Sequence, residues 1–143
     1  MQFHRGRLID HVKITVRDFK ASRKFYRAVL DVLKIPVTRE GKDWLIADDL
    51  VLIKGTPRAT HLHLALQAGD KEAVERCYDV ALKAGGRDKA APGFREHHPY
   101  YYAADVLDPD GNNIEFVNHG PVSRSAEAVV VKPSATALLK SWF

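Results

Sequence analysis

Two stretches of this chain overlay on each other without a gap. HVKITVRDFKASRKFYRAVL, beginning at His11, falls on HLALQAGDKEAVERCYDVAL, beginning at His63. His11 meets His63, Asp18 meets Asp70, Ala21 meets Ala73, Tyr26 meets Tyr78 and Leu30 meets Leu82. Between these matches the apolar character is partly shared: Val12 with Leu64, Ile14 with Leu66, Phe25 with Cys77. An internal repeat sets the architecture before any other reading begins. In 143 residues it leaves room for two small modules that share one core.

Each copy opens on an alternating strand. In the first, Ile9, His11, Lys13 and Thr15 share one face, and Val12, Ile14 and Val16 the other. An Asp then stands where a helix cap is needed. An amphipathic helix follows, with Ala21, Phe25, Val29 and Val32 in the first copy. Its counterpart carries Ala73, Val74, Cys77, Val80 and Ala81, and Gly85-Gly86 stops it. Strand-like runs come next: PVTRE, DWLIA and LVLIK in the first copy. The second offers a short strand within RDKAAPGFR, then YYYAADVLD, a turn at DPDGN, and NIEFVNH. The turn has a physical basis, since Pro109 presets its φ and Gly111 accepts a positive φ. The fold class is therefore α+β: two tandem βαβββ modules forming a curved mixed-sheet cup with helices on the outside. Pseudo-twofold symmetry is expected to bring the two opening strands near the middle. Residues 1–119 form the domain, with modules at about 8–56 and 60–119. Residues 120–143, ending ATALLKSWF, form an extension expected to pack on the domain or on a dimer partner.

Two polar features break otherwise apolar strands. In THLHLAL, His61 and His63 share a face with Ala65, while Leu62, Leu64 and Leu66 fill the other. In NIEFVNH, Glu115 alternates with Ile114 and Phe116. A carboxylate there requires a cation or hydrogen-bond donors.

Charge narrows the options. The formal charge is +4, with basic and acidic residues interspersed and no basic stripe, which argues against nucleic acid as a partner. No apolar run approaches the roughly 20 residues of a membrane helix. MQFHRGRLIDH lacks the apolar core of a signal peptide, and the single cysteine excludes an internal disulfide. A cytoplasmic protein is expected.

The strand–helix unit IDHVKITVRDFKASRKFY, the HLAL strand and the closing YYYAADVLDPDGNNIEF together resemble the vicinal oxygen chelate superfamily. That group includes glyoxalases, bleomycin-resistance proteins and type I extradiol dioxygenases. The resemblance covers about residues 8–120 and is closest to small glyoxalase-like members. It implies metal ligands at His11, His63 and Glu115, holding one divalent ion: Fe, Mn, Zn, Ni or Co. Two His and one carboxylate match the facial arrangement that leaves coordination positions open. Glyoxalase I proper takes a second carboxylate from the last strand of its first module. Here the matching position falls near Leu52, so that activity is not expected.

Around such a centre, Tyr101, His61 and His98 are the candidate catalytic groups, able to move a proton or bind an oxyanion. Alternation leaves open whether Tyr101, or Tyr100 with Tyr102, faces the cup. Lys13, Trp44 and Tyr102 are candidate substrate contacts. Three functions compete. A metal-dependent lyase, isomerase or oxygenase acting on vicinal oxygens uses the whole triad. A drug-binding protein of bleomycin-resistance type needs aromatic cup walls and no metal. A structural domain with a vestigial cup needs neither. A small molecule and a homodimer partner are expected.

Overall fold

The computed structural model describes residues 11–56 and 62–121. The elements run β1 (Val12–Val16), α1 (Phe19–Leu33), β2 (Arg39–Glu40), β3 (Trp44–Ala47) and β4 (Leu50–Lys54). The second set is β5 (His63–Gln67), α2 (Lys71–Lys83), β6 (Arg87–Phe94), β7 (Tyr102–Leu107) and β8 (Asn113–Asn118). This is βαβββ twice, as the repeat predicts. Each module builds its own four-stranded sheet, in the orders β1-β4-β3-β2 and β5-β8-β7-β6. The opening strand lies parallel to the last strand of its module, and the remaining pairs are antiparallel. A parallel pair needs a crossover, and the helix supplies it. The sheets do not close into a barrel. β1 and β5 each stand at an edge of their own sheet, and no strand pairing joins them among the described residues.

Both predicted caps form. Asp18 is extended, at φ −104° and ψ 95°, and its carboxylate accepts the Ala21 N–H at 3.0 Å. Asp70 does the same for Ala73 at 2.6 Å. The two glycines after α2 have different tasks. Gly85 takes φ +100°. Gly86 permits a close approach: a Cβ there would sit 2.6 Å from Val106 Cγ1, 2.7 Å from Phe25 Cε2 and 2.8 Å from the Ala81 carbonyl oxygen. Gly86→Ala is expected to destabilise the fold by about 1–3 kcal/mol through overpacking, read as a lower midpoint in urea unfolding.

One core serves both modules. Ile14, Val16, Phe25, Val29, Leu45 and Leu52 meet Val74, Cys77, Val106, Ile114 and Phe116 in a single buried cluster. α1 lies against α2, and α2 covers one face of the second sheet. Among the described residues, the opposite face of each sheet carries no helix. By strand register, that face of the first sheet presents Lys13, Thr15, Trp44, Ile46, Val51 and Ile53. On the second sheet it presents His63, Ala65, Glu115 and Asp105.

The DPDGN turn is tied into this core. Asp108 is fully buried and accepts four hydrogen bonds. Its Oδ1 takes the N–H groups of Asp110 (2.9 Å) and Asn112 (2.8 Å). Its Oδ2 takes Asn112 Nδ2 (2.9 Å) and the hydroxyl of buried Tyr26 on α1 (2.6 Å). Burial and the Asp108 carboxylate together raise the Tyr26 pKa well above the ordinary tyrosine value, so Tyr26 stays a donor. The first module thereby holds the turn that sets the register of β7 and β8.

Several expectations need adjusting. PVTRE contributes only the short β2. RDKAAPGFR forms a longer strand, β6, with two register shifts against β7. Leu52 faces the helix side and is fully buried. The first-module position equivalent to Glu115 is Val51, which pairs with Lys13 as Glu115 pairs with Ala65. Valine, like leucine, offers no ligand atom. His61 and residues 122–143, most of the expected extension, lie outside the described residues.

Candidate metal centre

Three neighbouring strands bring His63, Glu115 and Asp105 to the helix-free face of the second sheet. β8 is central: Glu115 pairs with Ala65 of β5 and with Asp105 of β7, and His63 pairs with Asn113 one row along. One ligand atom from each of His63, Asp105 and Glu115 lies within 4.8 Å of the others. His63 Nε2 stands 2.8 Å from Glu115 Oε2. The Tyr101 hydroxyl donates to Glu115 Oε1 at 2.5 Å. Asn113 Nδ2 donates to Asp105 Oδ2 at 3.0 Å and lies 3.2 Å from His63 Nδ1. Arg95 stands 3.7 Å from Asp105. The His63 side chain is 58% exposed and that of Glu115 only 10%, so the imidazole is open to an incoming group while the carboxylate is held from behind.

Burial alone would raise the Glu115 pKa. The hydrogen bonds from Tyr101 and His63, with the charges of His63 and His97, outweigh it and leave the carboxyl below its usual range. Glu115 is therefore an anion at neutral pH. Burial and the Glu115 carboxylate push Tyr101 up to about 12, so its phenol remains a donor and is no base at neutral pH.

The donor set fits a divalent cation on one further count. With Asn113 Nδ2 toward His63, Nδ1 is the acceptor and the ring proton sits on Nε2, facing Glu115. A ligating Nε2 must give up that proton, and Nδ1 then needs an acceptor. Asn113 Oδ1 is buried with no hydrogen-bond partner. A half-turn of the amide supplies that acceptor, at the cost of the bond to Asp105.

His63, Glu115 and Tyr101 of the sequence-predicted residues meet here. His11 precedes β1, is exposed, and lies outside the group of converging ligand atoms. Lys13 and Trp44 stand on the helix-free face of the other sheet. Tyr102 belongs to the opposite face of β7: its hydroxyl donates to Glu75 of α2 at 2.8 Å, which turns it away from Glu115. Tyr101, and not Tyr102, therefore stands beside Glu115. His98 does not reach the carboxylates. Its Nε2 lies 2.9 Å from His119 Nδ1, and both rings pack on the edge or face of Tyr101. His97 does likewise, with centroids 4.7 Å apart. These three imidazoles wall in the phenol that holds Glu115, and His119 was not expected among them.

Asp105, Asn113 and Arg95 are also additions. Asp105 had a signal. A hairpin centred on the DPDGN turn places an acid in YAADVL directly across from Glu115.

Residues 8–116 match the Glyoxalase/Bleomycin resistance protein/Dioxygenase superfamily. The chain belongs to this superfamily. A glyoxalase/bleomycin resistance protein from Albidiferax ferrireducens T118 is 29% identical, with a TM-score of 0.63 over 77% of this chain and 97% of its own. A glyoxalase/bleomycin resistance protein/dioxygenase family enzyme from Burkholderia phytofirmans PsJN is 22% identical, with a TM-score of 0.61 over 76% and 96%. The oxidase ChaP-H2 is 20% identical, with a TM-score of 0.56 over 76% and 93%. The last two likenesses concern the fold alone. No curated protein matches the chain. Among the described residues, no helix of this superfamily member is long and apolar enough to cross a membrane.

Proposed function

We propose that this superfamily member is a metal-dependent enzyme acting on a small molecule with two neighbouring oxygens, as a lyase, isomerase or oxygenase. The observation that carries the reading is the convergence of His63, Asp105 and Glu115 on an open sheet face, with a phenol and an amide orienting two of them. His63 and Glu115 would hold the ion, one of Fe, Mn, Zn, Ni or Co. When bound, it supplies Lewis acidity toward a chelating pair of oxygens. The chain's own groups do the rest. Tyr101 fixes the Glu115 carboxylate and keeps it ionised. With its amide turned, Asn113 gives the His63 Nδ1 proton an acceptor and leaves Nε2 free to ligate. Asp105, restrained by Arg95, is the nearby carboxylate able to accept a substrate proton.

The third ligand in this reading is His11 of a second copy. α1 lies against α2, so the helix-covered faces of both sheets meet in one core. The face of the first sheet that no described helix covers offers Trp44, Ile46, Val51 and Ile53, an apolar surface that suits a protein partner. Two intact chains that set the first sheet of one against the second sheet of the other would bring His11 and Lys13 of one opposite His63 and Glu115 of its partner.

Complementation tests this arrangement. His11→Ala and His63→Ala homodimers are each expected to bind Co(II) weakly. After the two are mixed and exchanged to a statistical mixture, half of the dimers are mixed and each of these regains one of its two sites, seen as recovered Co(II) absorption at about a quarter of the wild-type amplitude. No recovery from a demonstrated mixed dimer would place His11 and His63 of the same chain in one site, or remove His11 from it.

A further inference from the structure

Beside His63 a groove of about 360 Å³ runs across the second sheet toward β6. We propose that it binds an anionic group, carboxylate or phosphoryl, on the substrate, so that the enzyme acts on a small acid; this inference rests on the metal-centre reading above. The groove follows one row of the sheet. His63 pairs with Asn113, Asn113 with Leu107, and Leu107 with Arg87. Strands about 4.8 Å apart put the backbones of His63 and Arg87 about 14 Å from each other. With both side chains reaching inward, the remaining gap suits a small metabolite and excludes a macromolecule.

A bulge brings a second cation to the same groove. The pairing of β6 with β7 passes from Asp88–Val106 to Ala90–Asp105, which leaves Lys89 as the extra residue. An extra residue of this kind redirects its side chain. Lys89 lines the groove with Arg87, while Asp88 between them turns to α2 and accepts the Tyr78 hydroxyl at 3.0 Å. The strand therefore sorts its charges, cations toward the groove and the carboxylate away. Among the described residues, neither Arg87 nor Lys89 forms an ion pair. Asp110 is the acid of the groove, and its carboxylate is engaged by the Arg17 backbone N–H at 3.3 and 3.4 Å. Leu62 and Leu107 supply an apolar floor. Two unpaired cations over apolar side chains, at one end of a row that begins at a candidate ligand, form a receptor for an anion tethered to a chelating group.

Titration of the full ¹⁵N-labelled chain with inorganic phosphate, and separately with malonate, tests this. It is read by amide shifts at fixed ionic strength, both metal-free and with Zn(II). The expected result is saturable shifts centred on Arg87, Lys89 and residues 107–113 for at least one anion. Binding should weaken at least tenfold in an Arg87→Gln/Lys89→Gln variant whose other resonances are unchanged. The anion that saturates at lower concentration assigns the substrate group as phosphoryl or carboxylate. Absence of saturation with both anions, or equal binding by the variant, overturns the proposal. Saturation in a chain that takes up no Zn(II) keeps the groove and overturns the metal centre instead.

Discussion

Glu115→Ala is expected to lower divalent-metal affinity by more than about a hundredfold, beyond the 10–100-fold typical of losing a group that only orients a ligand. Glu115 is the junction of the site: Tyr101 donates to one carboxylate oxygen, and His63 stands 2.8 Å from the other. Removing it withdraws a buried negative charge and leaves the phenol without its acceptor. The orphaned hydroxyl costs about 1–3 kcal/mol of stability. Glu115→Gln keeps the shape and one acceptor oxygen for the phenol, so it separates lost charge from lost packing. Both variants should fail to hold metal, and only the alanine variant should lose appreciable stability. Calorimetric metal titration with parallel urea unfolding reads both. Wild-type affinity in Glu115→Gln would show that the carboxylate is no ligand.

The second large effect lies outside the site. Asp108→Ala is expected to cost about 3–5 kcal/mol, measured by urea unfolding, because four hydrogen bonds to one buried carboxylate disappear together. The Tyr26 hydroxyl and the Asn112 amide are then buried donors without an acceptor. Tyr26→Phe removes one of the four bonds and should cost about 1–3 kcal/mol. The functional consequence follows from register. The turn sets Asp105 opposite Glu115, so loosening it should also weaken metal binding in Asp108→Ala. A loss below 1 kcal/mol in Asp108→Ala would deny the carboxylate its anchoring role.

The sequence was most informative where local rules and the repeat agree. Asp18 and Asp70 cap their helices because each stands at a strand-to-helix junction and repeats at the same offset. Glu115 and His63 were visible because a charged or imidazole side chain interrupts an apolar strand. Asp105 escaped notice because it needs hairpin register as well as alternation, and register depends on where the DPDGN turn closes. Tyr101 and Tyr102 could not be separated by parity alone, since which face of YYYAADVLD looks toward Glu115 depends on the same hairpin register. The histidine wall around Tyr101 draws on both sides of the hairpin, from residues 97–98 and 119, a proximity no local pattern encodes. His11 remains tied to the resemblance: it precedes β1 of the first sheet, and one chain does not bring it into the His63–Asp105–Glu115 group.

The most direct test of the account is the metal content of protein purified without chelator or His-tag, with Glu115→Ala alongside. Near one divalent ion per chain in the wild type and almost none in the variant is the predicted result. Wild-type protein that arrives empty, and stays empty when offered Fe, Mn, Zn, Ni and Co, would contradict it.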